Sequence, residues 1–100
     1  MSGTFYFKEH KHPKETLFAI CDSEILGETF RDGDIRITVE ESFYGGDLIE
    51  EVDLRSVIGS FTIINIVGNR AVDLAIEEGI IDPECVIVIG GVKHAQAVTL

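Results

Sequence analysis

The sequence predicts an α+β protein: a two-layer α/β sandwich in which one mixed sheet, containing one βαβ unit, carries two helices on one face. Residues 62–67 form a β-branched apolar run ended by Gly68, and residues 70–78 then carry helical periodicity up to Gly79. Residues 85–89 form a second apolar run, closed by Gly90 and Gly91. Strand, helix and strand in one sheet make a βαβ unit, whose strands run parallel with a right-handed crossover. The other connections are of hairpin length, so the sheet has to be mixed.

The elements follow in order. Residues 4–7 alternate, with Phe5 and Phe7 on one side, and read as a first strand. Residues 9–15, which include Pro13, read as a loop. Residues 16–21 are apolar on both sides through Leu17, Phe18, Ala19 and Ile20, as suits an interior strand joined to the first in a wide hairpin. Asp22 or Ser23 then caps a single helical turn that Gly27 ends.

Asp32-Gly33 is a turn signal, after which Ile35, Ile37 and Val39 alternate with Arg36, Thr38 and Glu40 in a half-buried strand. The paired glycines of Phe43-Tyr44-Gly45-Gly46 interrupt it. A helix follows between Asp47 and Ile58, ended by Gly59; Asp47 and Glu50 have capping-box spacing, and Asp53 is an equally good cap. In the helix of residues 70–78, Val72, Ala75 and Ile76 form an apolar stripe that Ala71 and Leu74 extend. Residues 95–100 form the last apolar run.

One hundred residues predict a single globular domain, 1–100, able to bury about two-thirds of the surface its unfolded chain exposes. Its apolar runs fall short of the roughly 20 residues of a membrane span, and the N-terminus lacks a secretory apolar region. The expectation is a cytoplasmic protein without membrane contact. Cys21 and Cys85 lie in apolar runs without C-x-x-C spacing, which predicts buried, reduced thiols. A net charge of −10 disfavours general nucleic-acid binding and favours a basic protein partner or simple colloidal stability. Residues 8–15 are the local exception, with three lysines against two glutamates, and could touch an anionic surface.

Connectivity predicts one candidate site. The C-terminal ends of two parallel strands share an edge, where open α/β sheets bind ligands. Gly68, Asn69 and Arg70 at the helix start should therefore meet Gly90, Gly91, Lys93 and His94, with Tyr44 bordering them, and form a receptor for a small anionic ligand. The plainer reading is a β-to-α turn with Asn69 as N-cap. Arg70 in the first turn, and Glu77 and Glu78 in the last, all oppose the helix dipole.

Other chemistry has weaker support. G-x-G-x-x-G is absent, so no dinucleotide is expected, and no cofactor is implied. His10, His12 and His94 could be drawn as metal ligands, but nothing fixes their geometry and no metal is expected. Cys21, Asp22 and His94 could be drawn as a nucleophilic triad, although the apolar neighbours of Cys21 suit an inert thiol. Ser60 lacks the second glycine of a nucleophile elbow. Glu40, Glu41, Asp47, Glu50, Glu51 and Asp53 form a solvated face, a docking surface for a basic protein or a weak divalent-ion site, without EF-hand spacing.

Several short blocks resemble, in order, those of the archaeal family known as domain of unknown function 424. They are Ala19-Ile-Cys-Asp22, Leu26-Gly-Glu-Thr-Phe-Arg31, Phe43-Tyr-Gly-Gly46, Asn65-Ile-Val-Gly68, Leu74-Ala-Ile-Glu-Glu-Gly79, Asp82-Pro-Glu84 and His94-Ala-Gln96. The resemblance implies an archaeal cytosolic protein with a two-layer α/β fold and no assigned activity, loosely associated with translation. The functional expectations are then, in order, a non-catalytic module for an anionic ligand, a translation-associated protein docking by its acidic face, and a small enzyme using Cys21 and His94.

Overall fold

The structure, a computed structural model, describes residues 3–99. Strand β1 (Thr4–His12) runs straight through the segment expected to be a loop, and β2 (Glu15–Asp22) returns after only Pro13 and Lys14. The wide hairpin is thus a tight one, with His12 opposite Glu15. Its charged half reads as a loop because it lacks apolar alternation, yet it is held by long-range contacts. The His10 ring stacks on Phe43 at 4.9 Å, and Lys8 donates to the Ser42 carbonyl at 2.9 Å.

A 3-10 turn (Ser23–Ile25) leads to Gly27, whose φ of 87° only glycine adopts readily. Strands β3 (Thr29–Asp32) and β4 (Ile35–Thr38) form a separate two-stranded ribbon. The short helix α1 (Glu41–Tyr44), which the sequence reading lacks, precedes β5 (Asp47–Glu50) and α2 (Glu51–Val57). The first half of the helix expected from Asp47 is therefore a strand. A Cβ on Gly46 would overlap the Phe7 carbonyl, and this close approach lays the next four residues alongside β1, Asp47 opposite Phe7 and Glu50 opposite Thr4. Tertiary pairing overrides the capping-box spacing.

Strand β6 (Ile63–Val67), helix α3 (Asn69–Glu77), a 3-10 turn (Pro83–Cys85), β7 (Ile87–Ile89) and β8 (Val92–Val98) complete the chain. Leu100, the end of the last expected run, lies outside the described residues. The main sheet has the order β5-β1-β2-β6-β8-β7. It is mixed: β2 and β6 pair in parallel, whereas β8 runs antiparallel to both β6 and β7. Strands β6 and β7 are therefore parallel, with β8 inserted between them.

Helices α2 and α3 cover one face. Leu54, Ile58, Val72, Leu74 and Ala75 pack there on Phe5, Phe18, Ile20, Ile64 and Ile66 of the sheet. Each large side chain so buried contributes about 1.5–3 kcal/mol. The opposite face carries a second cluster, in which Ala19, Cys21 and Val67 pack under Val39, Tyr44, Phe30 and Ile37 from the ribbon and α1. This second cover explains why β2 is apolar on both sides. Cys21 is buried, as expected, but Cys85 is exposed, because its segment is a 3-10 turn ahead of the outermost strand. Among the described residues, no helix is long and apolar enough to cross a membrane.

Candidate functional site at the head of helix α3

Gly68 ends β6 with a φ of 117° and starts the turn into α3. Its N–H donates to the Lys93 carbonyl at 2.9 Å. Asn69 bridges the same two segments: its Oδ1 accepts from the Lys93 N–H at 3.0 Å and its Nδ2 donates to the Gly91 carbonyl at 3.3 Å. The edge inferred from connectivity thus gathers Gly68, Asn69, Arg70, Gly91 and Lys93.

A residue outside the predicted set dominates this edge. Asp22 ends β2, which lies beside β6 in parallel register with Cys21 opposite Val67. The residue is 3% exposed, and its carboxylate accepts from the Arg70 N–H at 3.1 Å and the Ala71 N–H at 2.7 Å. Burial pushes the Asp22 carboxyl up, and those two N–H donors pull it back down. The helix N-terminus is an anion seat, as its unsatisfied N–H groups require, and the protein's own carboxylate sits in it. The parallel pairing of β2 with β6, which no pattern within either segment encodes, carries Asp22 to Gly68; a Cβ on that glycine would run into the carboxylate.

Arg70 is tied down as well. Its guanidinium pairs with Glu24, donates to the Thr4 carbonyl at 3.0 Å and lies 4.7 Å from the centre of the Phe5 ring. The Glu24 carboxyl is held below its usual range by that hydrogen bond. Arg70 therefore joins α3 to β1 and to the turn after β2. Lys93 pairs with Asp73 of α3 at 2.7 Å.

The other expected members diverge. Ala95 belongs to the helix-side core and Val92 to the opposite one, so alternation puts Lys93 on the helix side and His94 on the other. His94 is half-buried there, and burial lowers its pKa. Gly90 lies against the backbone of Arg31: a Cβ on it would be 2.7 Å from the Arg31 carbonyl oxygen. Tyr44 is buried in the second core, its hydroxyl pushed up to about 12, and it packs edge-on to Phe43 instead of lining the edge. Burial, with Asp22 beside it, likewise raises the Cys21 thiol to about 12, which suppresses the thiolate a nucleophile needs. Among the described residues, no three His, Cys, Asp or Glu side chains group together as metal ligands would.

A cleft of about 300 Å³ opens beside this edge, lined by Phe5, Glu51, Arg55, Arg70, Asp73 and Glu77. Arg55 meets Glu51 at 2.7 Å, Glu77 at 2.8 Å and Glu78 at 2.7 Å. The two glutamates at the end of α3, unfavourable to its dipole, are thereby held by α2. The i, i+4 spacing of Glu51 and Arg55 was legible as a helical pair.

Fold and site together define a small α+β domain on a six-stranded mixed sheet, with the head of its central helix capped by an internal carboxylate. The chain belongs to the family described as "Protein of unknown function (DUF424)", which matches residues 10–100. A similar solved structure is the crystal structure of an uncharacterized conserved protein from Methanopyrus kandleri, 21% identical, with a TM-score of 0.76 over 94% of this chain and 90% of that one. No curated protein matches the chain.

Proposed function

We propose that the protein is a non-catalytic binding module that docks a basic protein partner through its acidic face. The observation that carries this reading is the position of β5, an outer strand paired only with β1 and rich in carboxylates. Asp47 and Glu50 flank exposed Leu48, and Glu51 and Asp53 follow beside exposed Val52. An open strand edge offers main-chain hydrogen bonds to an extended segment, and the carboxylates select lysine or arginine in it. The same charges disfavour pairing of two copies through this edge. A basic protein of the translation machinery, the association the family resemblance implies, would be such a partner.

A second reading places a small anionic ligand at the edge of Gly68, Asn69, Arg70, Gly91 and Lys93. The hydrogen bonds of Asn69 to Gly91 and Lys93 favour it. It requires Asp22 to release the α3 N–H groups, or Arg70 to leave Glu24.

One amide NMR titration separates the two. An extended peptide of alternating lysine and valine should perturb residues 47–53 at low salt and lose that effect at high salt. Peptide shifts that spare β5 overturn the first reading. Inorganic phosphate that shifts residues 68–71 and 91–94 together supports the second.

A further inference from the structure

The ribbon of β3 and β4 puts two arginines face to face. Asp32 pairs with Ile35 across the Gly33-Asp34 turn, so the register sets Arg31 directly opposite Arg36 and Thr29 opposite Thr38. Phe30 and Ile37 occupy the other side and pack into the second core. Alternation then sends both guanidinium groups to solvent together, on Cβ atoms about 5 Å apart. Both residues are exposed.

Like charges opposite one another weaken a strand pair. The chain holds eighteen acidic residues against eight basic ones, so carboxylate partners are plentiful. The other two arginines use them: Arg55 meets three glutamates and Arg70 meets Glu24. Among the described residues, Arg31 and Arg36 have neither an ion pair nor a side-chain hydrogen bond. Asp32 lies on the opposite side with Ile35, and the Thr29 and Thr38 hydroxyls bond each other at 2.9 Å beside the pair. The ribbon is braced from behind, since Gly90 of the β7–β8 turn packs on the Arg31 backbone.

From this juxtaposition we infer a binding site for a phosphate group on the outer side of the ribbon, with Arg31 and Arg36 as its two forks. Two planar guanidinium groups present paired donors to a tetrahedral dianion and match its charge, which a single carboxylate does not. The ligand is a compact phosphomonoester. A nucleic acid would bring further phosphates against a protein of net charge −10. The site is independent of β5, which lies at the sheet edge opposite β7, next to which the ribbon packs.

The test is to titrate inorganic phosphate into the ¹⁵N-labelled 100-residue chain, with sodium chloride at matched ionic strength as the reference, reading the arginine Nε–Hε signals. The Arg31 and Arg36 signals should shift together and saturate with phosphate, and not with chloride. Arg31→Gln and Arg36→Gln should each weaken phosphate binding about three- to fivefold, while Lys14→Gln leaves it unchanged. Both arginine variants should melt at or above the parent temperature, because each removes a repulsion; a lower Tm with unchanged phosphate affinity overturns the proposal in favour of a structural role. It is overturned as well by shifts equal in chloride, by equal loss in Lys14→Gln, or by shifts confined to residues 68–71. Single-stranded RNA binding more tightly per phosphate than inorganic phosphate overturns the compact ligand, and absence of RNA binding supports it.

Discussion

Asp22 shows how one side chain decides what a helix terminus can do. Its carboxylate satisfies two N–H groups of α3, and with Arg70 and Glu24 it closes a network joining β2, α3 and β1. Replacing it by alanine leaves the Arg70 and Ala71 N–H groups without their acceptor, at a cost of about 1–3 kcal/mol. Thermal unfolding followed by circular dichroism should show a Tm lower by several degrees, since 1 kcal/mol shifts a domain of this size by roughly 4–8 °C. The pH response has a defined sign. Because burial raises the Asp22 carboxyl above its ordinary 3.8, the folded state holds this proton more tightly than the unfolded state. The contribution of that proton is fully present below 3.8 and is lost as pH rises through the raised value. Asp22→Asn, which has no such proton, should therefore lose ground to the parent as pH falls through this window. A stability difference independent of pH would contradict the raised pKa.

Among the elements, β5 departs furthest from what its sequence predicts, and the reason lies next to it. Asp47-Leu48-Ile49-Glu50 has a helical cap pattern, but Asp47 starts a strand, and Glu50, the residue that precedes α2, makes no side-chain cap bond. Gly46 passes so close to β1 that only a hydrogen fits, and the four residues after it pair with β1 in place of a helical turn. Gly46→Val should release this pairing. Amide hydrogen exchange at Leu48–Glu50 should accelerate while β2 and β6 keep their protection, because only the outer strand depends on the close approach. Equal acceleration across the sheet would mean that β5 is integral to the core. The charged half of β1 teaches the same lesson in the opposite direction: His10 and Lys8 carry no strand signal, and they are ordered by Phe43 and Ser42, more than thirty residues away.

At the scale of the molecule, what could be read from the sequence was what periodicity encodes locally. The apolar runs at β2 and β6, the stripe on α3 and the parallel relation of β6 and β7 followed from patterns within single segments and one crossover rule. The meeting of Gly68 and Asn69 with Gly91 and Lys93 followed from the same rule. Asp22 did not, because its place depends on β2 lying beside β6, a pairing between segments that are distant in the chain and joined by no single crossover. Nor did the second core, built from a ribbon and a short helix whose apolar residues are too few to show a period. That double cover has a measurable consequence at the cysteines. Cys21 is fully buried on the interior strand that both clusters cover, whereas Cys85 is exposed ahead of the outermost strand. A thiol reagent should therefore modify Cys85 in the native state without delay. In Cys85→Ser, labelling of Cys21 should wait for global opening, its rate rising with denaturant along the slope that describes equilibrium unfolding. A Cys21 rate insensitive to denaturant would show that one cover opens by itself, and would make the two faces separately stable units.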